Sequence, residues 1–326
     1  MRRGVHAILY ALFDADERLD RAAMRRQVEV CLGAGVAGIA ALGLATEVAK
    51  MSFDERKTVM DWVAQDVSGL VPLGFTIYGQ SVAEQVAMIR HAEGVGADWL
   101  ILQPPMVGSY GAPEYLAFFG RVMASTDLPC ALQNAPQYLG RGLSDDDIHR
   151  LRAAHPNFTL IKSEATAAEC ARLIQTAGPS FQVFNGRGGQ EMIACLDAGC
   201  AGFLLAPDLV DYGARVMALY DVGEHAGALA LHEQTLPAIG FVMQSIEHLI
   251  CYGKRLFTLR AGLETHDRAP ALRPDEAGLR QVTALAKTLG PYSPAKVNTN
   301  IAPGFSTPSI TPPASASCWP PMSVMT

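Results

Sequence analysis

The chain has little basic charge. Lys and Arg total 26 against 32 Asp and Glu in 326 residues, which gives a formal net charge of −6. Proteins bind nucleic acid by neutralising phosphates with Lys and Arg, so this balance argues against a nucleic-acid partner. The chain also lacks an apolar run of about 18 residues, so no membrane-spanning helix is expected. The N-terminal segment has only a short apolar stretch before three acidic residues, which predicts a first strand rather than a signal peptide.

Cysteine and histidine occur without metal-ligand spacing. The seven cysteines are scattered with no CxxC, and the eight histidines form no HxH or HExxH pair. Neither a metal site nor a cofactor is therefore expected. An odd number of scattered cysteines indicates a reducing cytoplasmic compartment, with most thiols packed as small hydrophobic groups.

The main positive signal is a set of eight short apolar runs. They lie at 6–13, 37–43, 71–78, 98–103, 129–134, 158–162, 181–186 and 202–206. Several lack polar alternation, which is typical of parallel strands buried on both faces. The segments between them look helical, and Ser52, Ser81 and Thr166 are each followed three residues later by Glu, as in a capping box. Ser144 before three aspartates is a weaker signal of the same kind.

Alternating strands and helices predict a (β/α)8 TIM barrel over residues 1–222. A doubly wound open sheet is the alternative, but it favours a glycine-rich loop after the first strand, and none is present. Residues 223–291 are predicted to form C-terminal helices packed on the barrel, at 224–250, 254–263 and 274–289. Residues 290–326 contain eight prolines and no acidic residue, so a disordered tail is predicted over 292–326.

Lys162 is the first candidate for chemistry. The chain has six lysines against twenty arginines, and this one ends the apolar run FTLI. In a barrel, active-site residues lie at the C-terminal ends of strands. A lysine desolvated there has a lowered pKa and a free amine that can form a Schiff base. The spacing alone also allows a buried ion pair with Glu164 or Glu47.

Five segments resemble one known family. They are GIAALGLATE, SFDERKTVMDWV, CALQNAPQYLG, TLIKSEAT and FNGRGGQEMIACLDAGCAGFL. Together they are similar to the dihydrodipicolinate synthase / N-acetylneuraminate lyase family, collinearly over about residues 4–290. The resemblance implies a (β/α)8 barrel with C-terminal helices, and it implies that Lys162 is the Schiff-base lysine.

The loop after the second strand departs from the family pattern. Gly43 and Glu47 are retained, but the two threonines that usually hold the keto acid's carboxylate are Leu44 and Ala45. Thr46 lies one position later and is a candidate for part of their catalytic role. The backbone N–H groups of Ala45 and Thr46 are candidates for binding the carboxylate.

The motif after the fifth strand differs as well. The family's proton-shuttling tyrosine is replaced by Gln133, Asn134 is retained, and Tyr138 occupies the position of an arginine that binds a second carboxylate. An amide does not titrate, so Gln133 is assigned to hydrogen bonding with substrate. In the family, the turn with Gly186 and Arg187 lines the substrate pocket.

The pattern of departures is most similar to 2-keto-3-deoxy sugar-acid dehydratases of the L-2-keto-3-deoxyarabonate type. The resemblance therefore implies a class I lyase, a dehydratase or an aldolase, acting on a small 2-keto acid. Alternatives are a true dihydrodipicolinate synthase or N-acetylneuraminate lyase, and a pseudoenzyme that binds keto acids without turnover. The resemblance also implies a homo-oligomer built as a dimer of dimers.

Overall fold

Eight parallel strands close into a barrel in the computed structural model, which describes residues 1–108 and 110–292. Each strand pairs with the next, and β8 pairs with β1. The predicted TIM barrel is thus confirmed. The strands are β1 (Gly4–Ile8), β2 (Gly38–Ala41), β3 (Leu73–Ile77), β4 (Trp99–Leu102), β5 (Cys130–Asn134), β6 (Phe158–Ser163), β7 (Gln182–Asn185) and β8 (Gly202–Leu205).

Helices connect the strands and form the outer layer. They are α1 (Arg21–Gly33), α2 (Phe53–Val67), α3 (Val82–Gly94), α4 (Ala112–Met123), α5 (Pro136–Leu139), α6 (Asp145–Ala154), α7 (Ala167–Ala177), α8 (Met192–Asp197) and α9 (Val210–Asp221). Because both faces of each strand are covered, by the barrel interior and by a helix, the strands read as unbroken apolar runs.

The predicted helix starts coincide with observed N-caps. Ser52, Ser144 and Thr166 each form a complete capping box. Ser81 accepts a hydrogen bond from the amide of Glu84. The Glu84 carboxylate accepts from the amide of Gln80 instead of returning to Ser81, so this capping box is only half formed.

Small residues make room for rings at one end of the barrel. A Cβ on Gly38 would lie 2.1 Å from Nδ1 of His6, and one on Gly74 would lie 2.3 Å from the ring of Trp99. His6 also packs edge-on against Phe184, with ring centroids 5.4 Å apart. Burial lowers the pKa of His6 to about 4, so the ring stays neutral at physiological pH.

Helices α10 (His225–Val242), α11 (Ile246–His248), α12 (Lys254–Ala261) and α13 (Glu276–Leu289) follow the barrel. The single helix expected over 224–250 is wrong. The chain breaks after Val242, and Ser245 caps a new start by accepting from the amide of His248. A π-helical turn, Leu249–Gly253, then leads into α12. Within the described residues, no helix is long and apolar enough to cross a membrane.

The structure describes one residue of the predicted tail. Tyr292, its first residue, is packed, and its hydroxyl donates to the carbonyl of Pro207 at 2.6 Å. The remainder of the predicted tail, 293–326, lies outside the described residues.

Candidate active site

A pocket opens at the carboxyl ends of the strands, between the barrel and the break after α10. The empty space here, including open solvent at the pocket mouth, is about 590 Å³. Lys162, Glu164, Tyr138 and Asp208 supply its polar side chains. Its apolar wall includes Ile8, Leu44, Ala45, Leu204, Leu205, Leu209, Val242, Met243 and Leu249. Such a wall excludes water and strengthens the electrostatic interactions inside the pocket.

Lys162, Glu164 and Gln133 form a connected group, of which Lys162 and Glu164 line this pocket, whereas Gln133 lines a separate, smaller cavity. Lys162 pairs with Gln133 in register across β5 and β6, so the two side chains share a face. Oε1 of Glu164 lies 2.6 Å from Nζ of Lys162 and accepts from Nε2 of Gln133 at 2.7 Å. The three residues are at most 5% exposed. Of the two ion pairs expected for Lys162, the structure contains the one with Glu164. The pair places a proton acceptor directly on the amine.

Tyr138 stands on the short helix after β5 and faces the same space. Burial and the nearby Glu164 carboxylate raise the pKa of Tyr138, while Arg187 opposes the shift. The phenol is therefore protonated at neutral pH and can donate a proton. The guanidinium of Arg187 is itself held by Glu191, with Nη1 2.5 Å from Oε2.

Gly186 allows the chain to pass close to the lysine. A Cβ there would lie 3.0 Å from Cε of Lys162 and 3.0 Å from Cγ of Glu164. Its predicted place in the site thus has a steric reason, because a side chain would press on both charged groups. Arg187 is beside Tyr138 and outside the lining of the pocket.

Asp208 lies in the turn after β8 and is not one of the sequence-predicted site residues. Its Oδ1 accepts from the hydroxyl of Tyr10 at 2.9 Å. Burial raises the pKa of Asp208 to about 7. The pocket wall therefore contains a carboxyl group that changes protonation near neutral pH.

The loop after β2 contributes less than expected. Ala45 lines the pocket, but Gly43 lies behind Ile8, since a Cβ added to this glycine would be 3.0 Å from Cδ1 of that side chain. Thr46 is fully buried; its hydroxyl donates to the carbonyl of Leu9 at 2.5 Å and accepts from the amide of Gly43. The amide of Thr46 donates to the carbonyl of Gly43. The Thr46 hydroxyl therefore links the loop to Leu9, directly after β1, by hydrogen bonds and does not line the pocket.

The side chains of Glu47 and Asn134 also have structural partners and are not in the pocket lining. The Glu47 carboxylate is buried between Lys50, 2.6 Å away, and Lys254. Asn134 donates to the carbonyl of Leu143 and accepts from its amide. Neither side chain lines the pocket, because each is satisfied by partners on a neighbouring loop or helix.

Sequence reasoning missed two polar groups of the pocket. Glu164 was considered only as an ion-pair partner of Lys162, although it joins the lysine to Gln133. Asp208 follows the last apolar run by two residues, and that position at the end of a barrel strand was the available signal.

Comparison with known proteins gives one family. The model of the dihydrodipicolinate synthetase family matches residues 1–289. A 4-hydroxy-tetrahydrodipicolinate synthase from Methanothrix thermoacetophila is 30% identical over 187 residues, which span 57% of this chain and 63% of that protein. The protein described as a probable 2-dehydro-3-deoxy-D-pentonate aldolase, YjhH of Escherichia coli K12, is 25% identical over 88% of this chain and 97% of its own.

Solved structures share the fold. Escherichia coli YagE, a member of the dihydrodipicolinic acid synthase family crystallised with pyruvate, has a TM-score of 0.82 and 22% identity, over 88% of this chain and 98% of that one. A catalytic-lysine mutant of Ruminococcus gnavus sialic acid aldolase has a TM-score of 0.81 and 18% identity, over 89% and 97% of the two chains.

Proposed function

Because this chain belongs to the dihydrodipicolinate synthetase family, whose members are Schiff-base lyases, we propose that Lys162 forms the imine with a 2-keto acid. The chain is a lyase of this family, and the identity of its Schiff-base lysine is what we propose. The observation that carries it is the Lys162 amine in a largely apolar pocket, 2.6 Å from a carboxylate that can take its proton.

The first steps follow from that contact. Lys162 passes a proton to Glu164, and the free Nζ attacks C2 of the keto acid. The C2 oxygen leaves as water, and a protonated imine remains. This cation withdraws electrons from C3, so a base can remove a C3 proton to form an enamine.

We propose a 2-keto-3-deoxy sugar acid as the substrate. Gln133 stands where the resemblance places a titrating tyrosine, and its Oε1 is buried without a hydrogen-bond partner among the described residues. A substrate hydroxyl would satisfy this acceptor. The relative YjhH is described as an aldolase for a compound of this chemical class.

Dehydration fits the available proton donors. After the C3 proton has left, the enamine electrons expel the C4 hydroxyl, which departs as water if an acid protonates it. The pKa of Tyr138 is raised, so its phenol carries the required proton at neutral pH. Aldol cleavage is the second candidate, and YjhH is described as an aldolase. From the same protonated imine, a base removes the C4 hydroxyl proton, the C3–C4 bond breaks, C4 leaves as an aldehyde, and the enamine of pyruvate remains on the lysine.

The substrate's carboxylate is assigned to the loop after β2. The backbone N–H groups of Ala45 and Thr46 are the predicted donors. The N–H of Thr46 already donates to the carbonyl of Gly43, whereas Ala45 lines the pocket. We assign its backbone N–H to the carboxylate, together with that of Leu44 beside it. Backbone donors of this kind replace the threonine hydroxyls implied by the resemblance.

Borohydride trapping tests the lysine. The purified protein, incubated with pyruvate and reduced, should gain one covalent adduct in its intact mass. Lys162→Ala should abolish the adduct, whereas Lys287→Ala, on an exposed face of α13, should keep it. An adduct that survives in Lys162→Ala would overturn the assignment.

A substrate panel tests the reaction. Several 2-keto-3-deoxy sugar acids are assayed for loss of water and for release of pyruvate. Efficient dehydration supports the first candidate, and release of pyruvate supports aldol cleavage. Condensation of pyruvate with aspartate semialdehyde, without activity on any keto-deoxy acid, would contradict both.

We further propose a homo-oligomer, a dimer of dimers, working in the cytoplasm. The resemblance implies the assembly, and six buried cysteines with free thiols are consistent with a reducing compartment. Light scattering of the purified protein should give the mass of four chains. A single-chain mass would contradict the assembly.

A further inference from the structure

Three cysteines meet behind the barrel wall, outside the pocket. Cys170 is in the first turn of α7, Cys195 is in α8, and Cys200 lies just before β8. Their sulfur atoms all lie within 4.8 Å of one another, and each residue is 0% exposed. Since the three are separated by intervals other than those of a CxxC motif, the fold and not the local sequence brings them together.

The spacing of the sulfurs suits a metal ion. A thiolate–zinc bond is about 2.3 Å long, so three thiolates around one ion stand roughly 3.8–4.0 Å apart. Sulfurs that already lie within 4.8 Å reach that spacing by small side-chain rotations. Thiolates are soft ligands and select zinc, copper(I) and similar thiophilic ions over magnesium or calcium.

Two polar groups reach the cluster from the strands. Nδ2 of Asn185 and Oγ of Ser163 each lie 3.7 Å from Sγ of Cys170. Asn185 donates to this sulfur, and the Cys170 thiol donates to Ser163. When Cys170 is a thiolate, the serine hydroxyl can donate to it instead.

We propose that Cys170, Cys195 and Cys200 form a binding site for one soft, thiophilic metal ion. The three sulfurs are the ligands, and each thiol that binds releases its proton to solvent. Asn185 and Ser163 neutralise part of the remaining charge by donating to Cys170. The site is independent of the proposed Schiff-base reaction, although Ser163 follows Lys162 directly on β6.

Cadmium(II) is the probe for the test. The full chain carrying Cys318→Ser, which removes the thiol outside the described residues, is reduced, freed of metal and titrated with Cd(II). Absorbance from thiolate-to-metal charge transfer is followed until it is constant, because the buried site must open to admit the ion. One ion per chain, with a charge-transfer band, is the expected result.

Matched variants locate the site. Cys195→Ser should weaken Cd(II) binding at least about tenfold. Cys31→Ser changes a buried thiol in α1 and should leave binding unchanged. Cd(II) should also raise the Tm of the parent and of Cys31→Ser, but not that of Cys195→Ser, since a ligand stabilises only a protein that binds it.

X-ray absorption of the cadmium-loaded parent needs no variant and should show three sulfur neighbours. One or no sulfur neighbour overturns the proposal, as does binding that is unchanged in Cys195→Ser. Failure of the reduced protein to bind Cd(II), together with a loss of two hydrogens under mild oxidant, would instead identify a disulfide-forming pair.

Discussion

At the scale of single residues, the pocket combines groups that hold protons with different strength. Burial raises the pKa of Asp208 to about 7 and also raises the pKa of Tyr138. Lys162 and Glu164 lie in the same pocket, with Nζ 2.6 Å from Oε1. A reaction that removes one proton and delivers another needs such a graded set, and sites of this kind concentrate perturbed groups.

Asp208 should make the protein less stable as pH rises. Its pKa is 3.8 in the unfolded reference and about 7 in the fold, so the folded state binds more protons between these values. Stability from this group is complete below pH 3.8 and is lost as pH rises through 7, by at most about 4 kcal/mol. In Asp208→Asn, the free energy of unfolding in urea should no longer fall with pH between 3.8 and about 7 on account of this group.

His6 acts in the opposite direction, with a pKa lowered to about 4 from 6.5, so its contribution grows as pH rises between those values. It is present in both proteins and cancels in the difference between wild type and Asp208→Asn. Asp16→Asn, at an exposed position, is the control. A difference that is flat from pH 4 to 7 would contradict the pKa given to Asp208.

Tyr138→Phe should separate imine formation from the later proton transfer. The variant keeps Lys162 and Glu164, so borohydride trapping with pyruvate should be unchanged. Turnover of the keto-deoxy acid should fall about 10²–10⁴-fold, since the ring lacks its acidic hydroxyl. Tyr220→Phe, which loses a hydrogen bond to Asp197 on α8, is the matched control. Equal turnover in Tyr138→Phe and wild type would remove Tyr138 from the mechanism.

Only part of this residue-level picture is readable from the sequence. Lys162 stands out because a lysine is costly at the end of a buried strand. Thr46 and Glu47 lie in the loop after β2 and Asn134 ends β5, all on the side of the barrel where a site is expected. Their side chains nevertheless turn to Leu9, Lys254 and Leu143. Which way a polar side chain turns depends on partners far along the chain, and one strand's pattern does not contain them.

At the scale of elements, a buried ion pair joins the loop after β2 to α12. Lys254 is 0% exposed, and its amine contacts the Glu47 carboxylate. Burial lowers the pKa of Lys254, and Glu47 opposes the shift. Two desolvated charges of this kind are costly to separate, because each gives up a close opposite charge that compensates for leaving water.

Lys254→Met should therefore destabilise the protein by about 3–5 kcal/mol, as measured by urea unfolding, since it leaves Glu47 with Lys50 alone. The double variant Lys254→Met/Glu47→Gln should recover part of the loss. Lys57→Met breaks an exposed pair with Asp54 and should cost less than about 1 kcal/mol. Equal losses of stability in Lys254→Met and Lys57→Met would show that the buried ion pair contributes no more to stability than the pair of Lys57 with Asp54.

Elements differ in how far they can be predicted from sequence. All eight strands overlap their apolar runs, because burial on both faces leaves a short unbroken apolar run and the length of five to eight residues favours a strand over a helix. The prediction of one helix over 224–250 is wrong because the helical spacing of apolar residues runs on past Met243 and shows no break before Ser245. The break there depends on the Ser245 cap and on packing over the pocket, which periodicity does not report.

At the scale of the whole molecule, the end of the described chain is tied back to the barrel. The Tyr292 hydroxyl donates to the carbonyls of Pro207 and Asp208, at 2.6 and 3.0 Å. Its ring lies under the guanidinium of Arg260, 4.0 Å from the centroid. Arg260 in turn pairs with Asp211 of α9. These contacts connect the turn that carries Asp208 to the C-terminal helices.

Two truncations should therefore differ sharply. A chain ending at Tyr292 should keep the Tm and turnover of the full chain, because the removed segment is rich in proline and offers little to bury. A chain ending at Pro291 loses Tyr292 and should be less stable by about 1–3 kcal/mol, since it gives up buried hydrogen bonds and the stacked guanidinium. Tyr292→Phe in the full chain should lose only the part of this stability that comes from the hydroxyl's hydrogen bonds, because the ring remains stacked on Arg260. If the two truncations are equally stable in urea, Tyr292 does not anchor the helices; if ending at Tyr292 already lowers Tm, the proline-rich segment contributes to the fold.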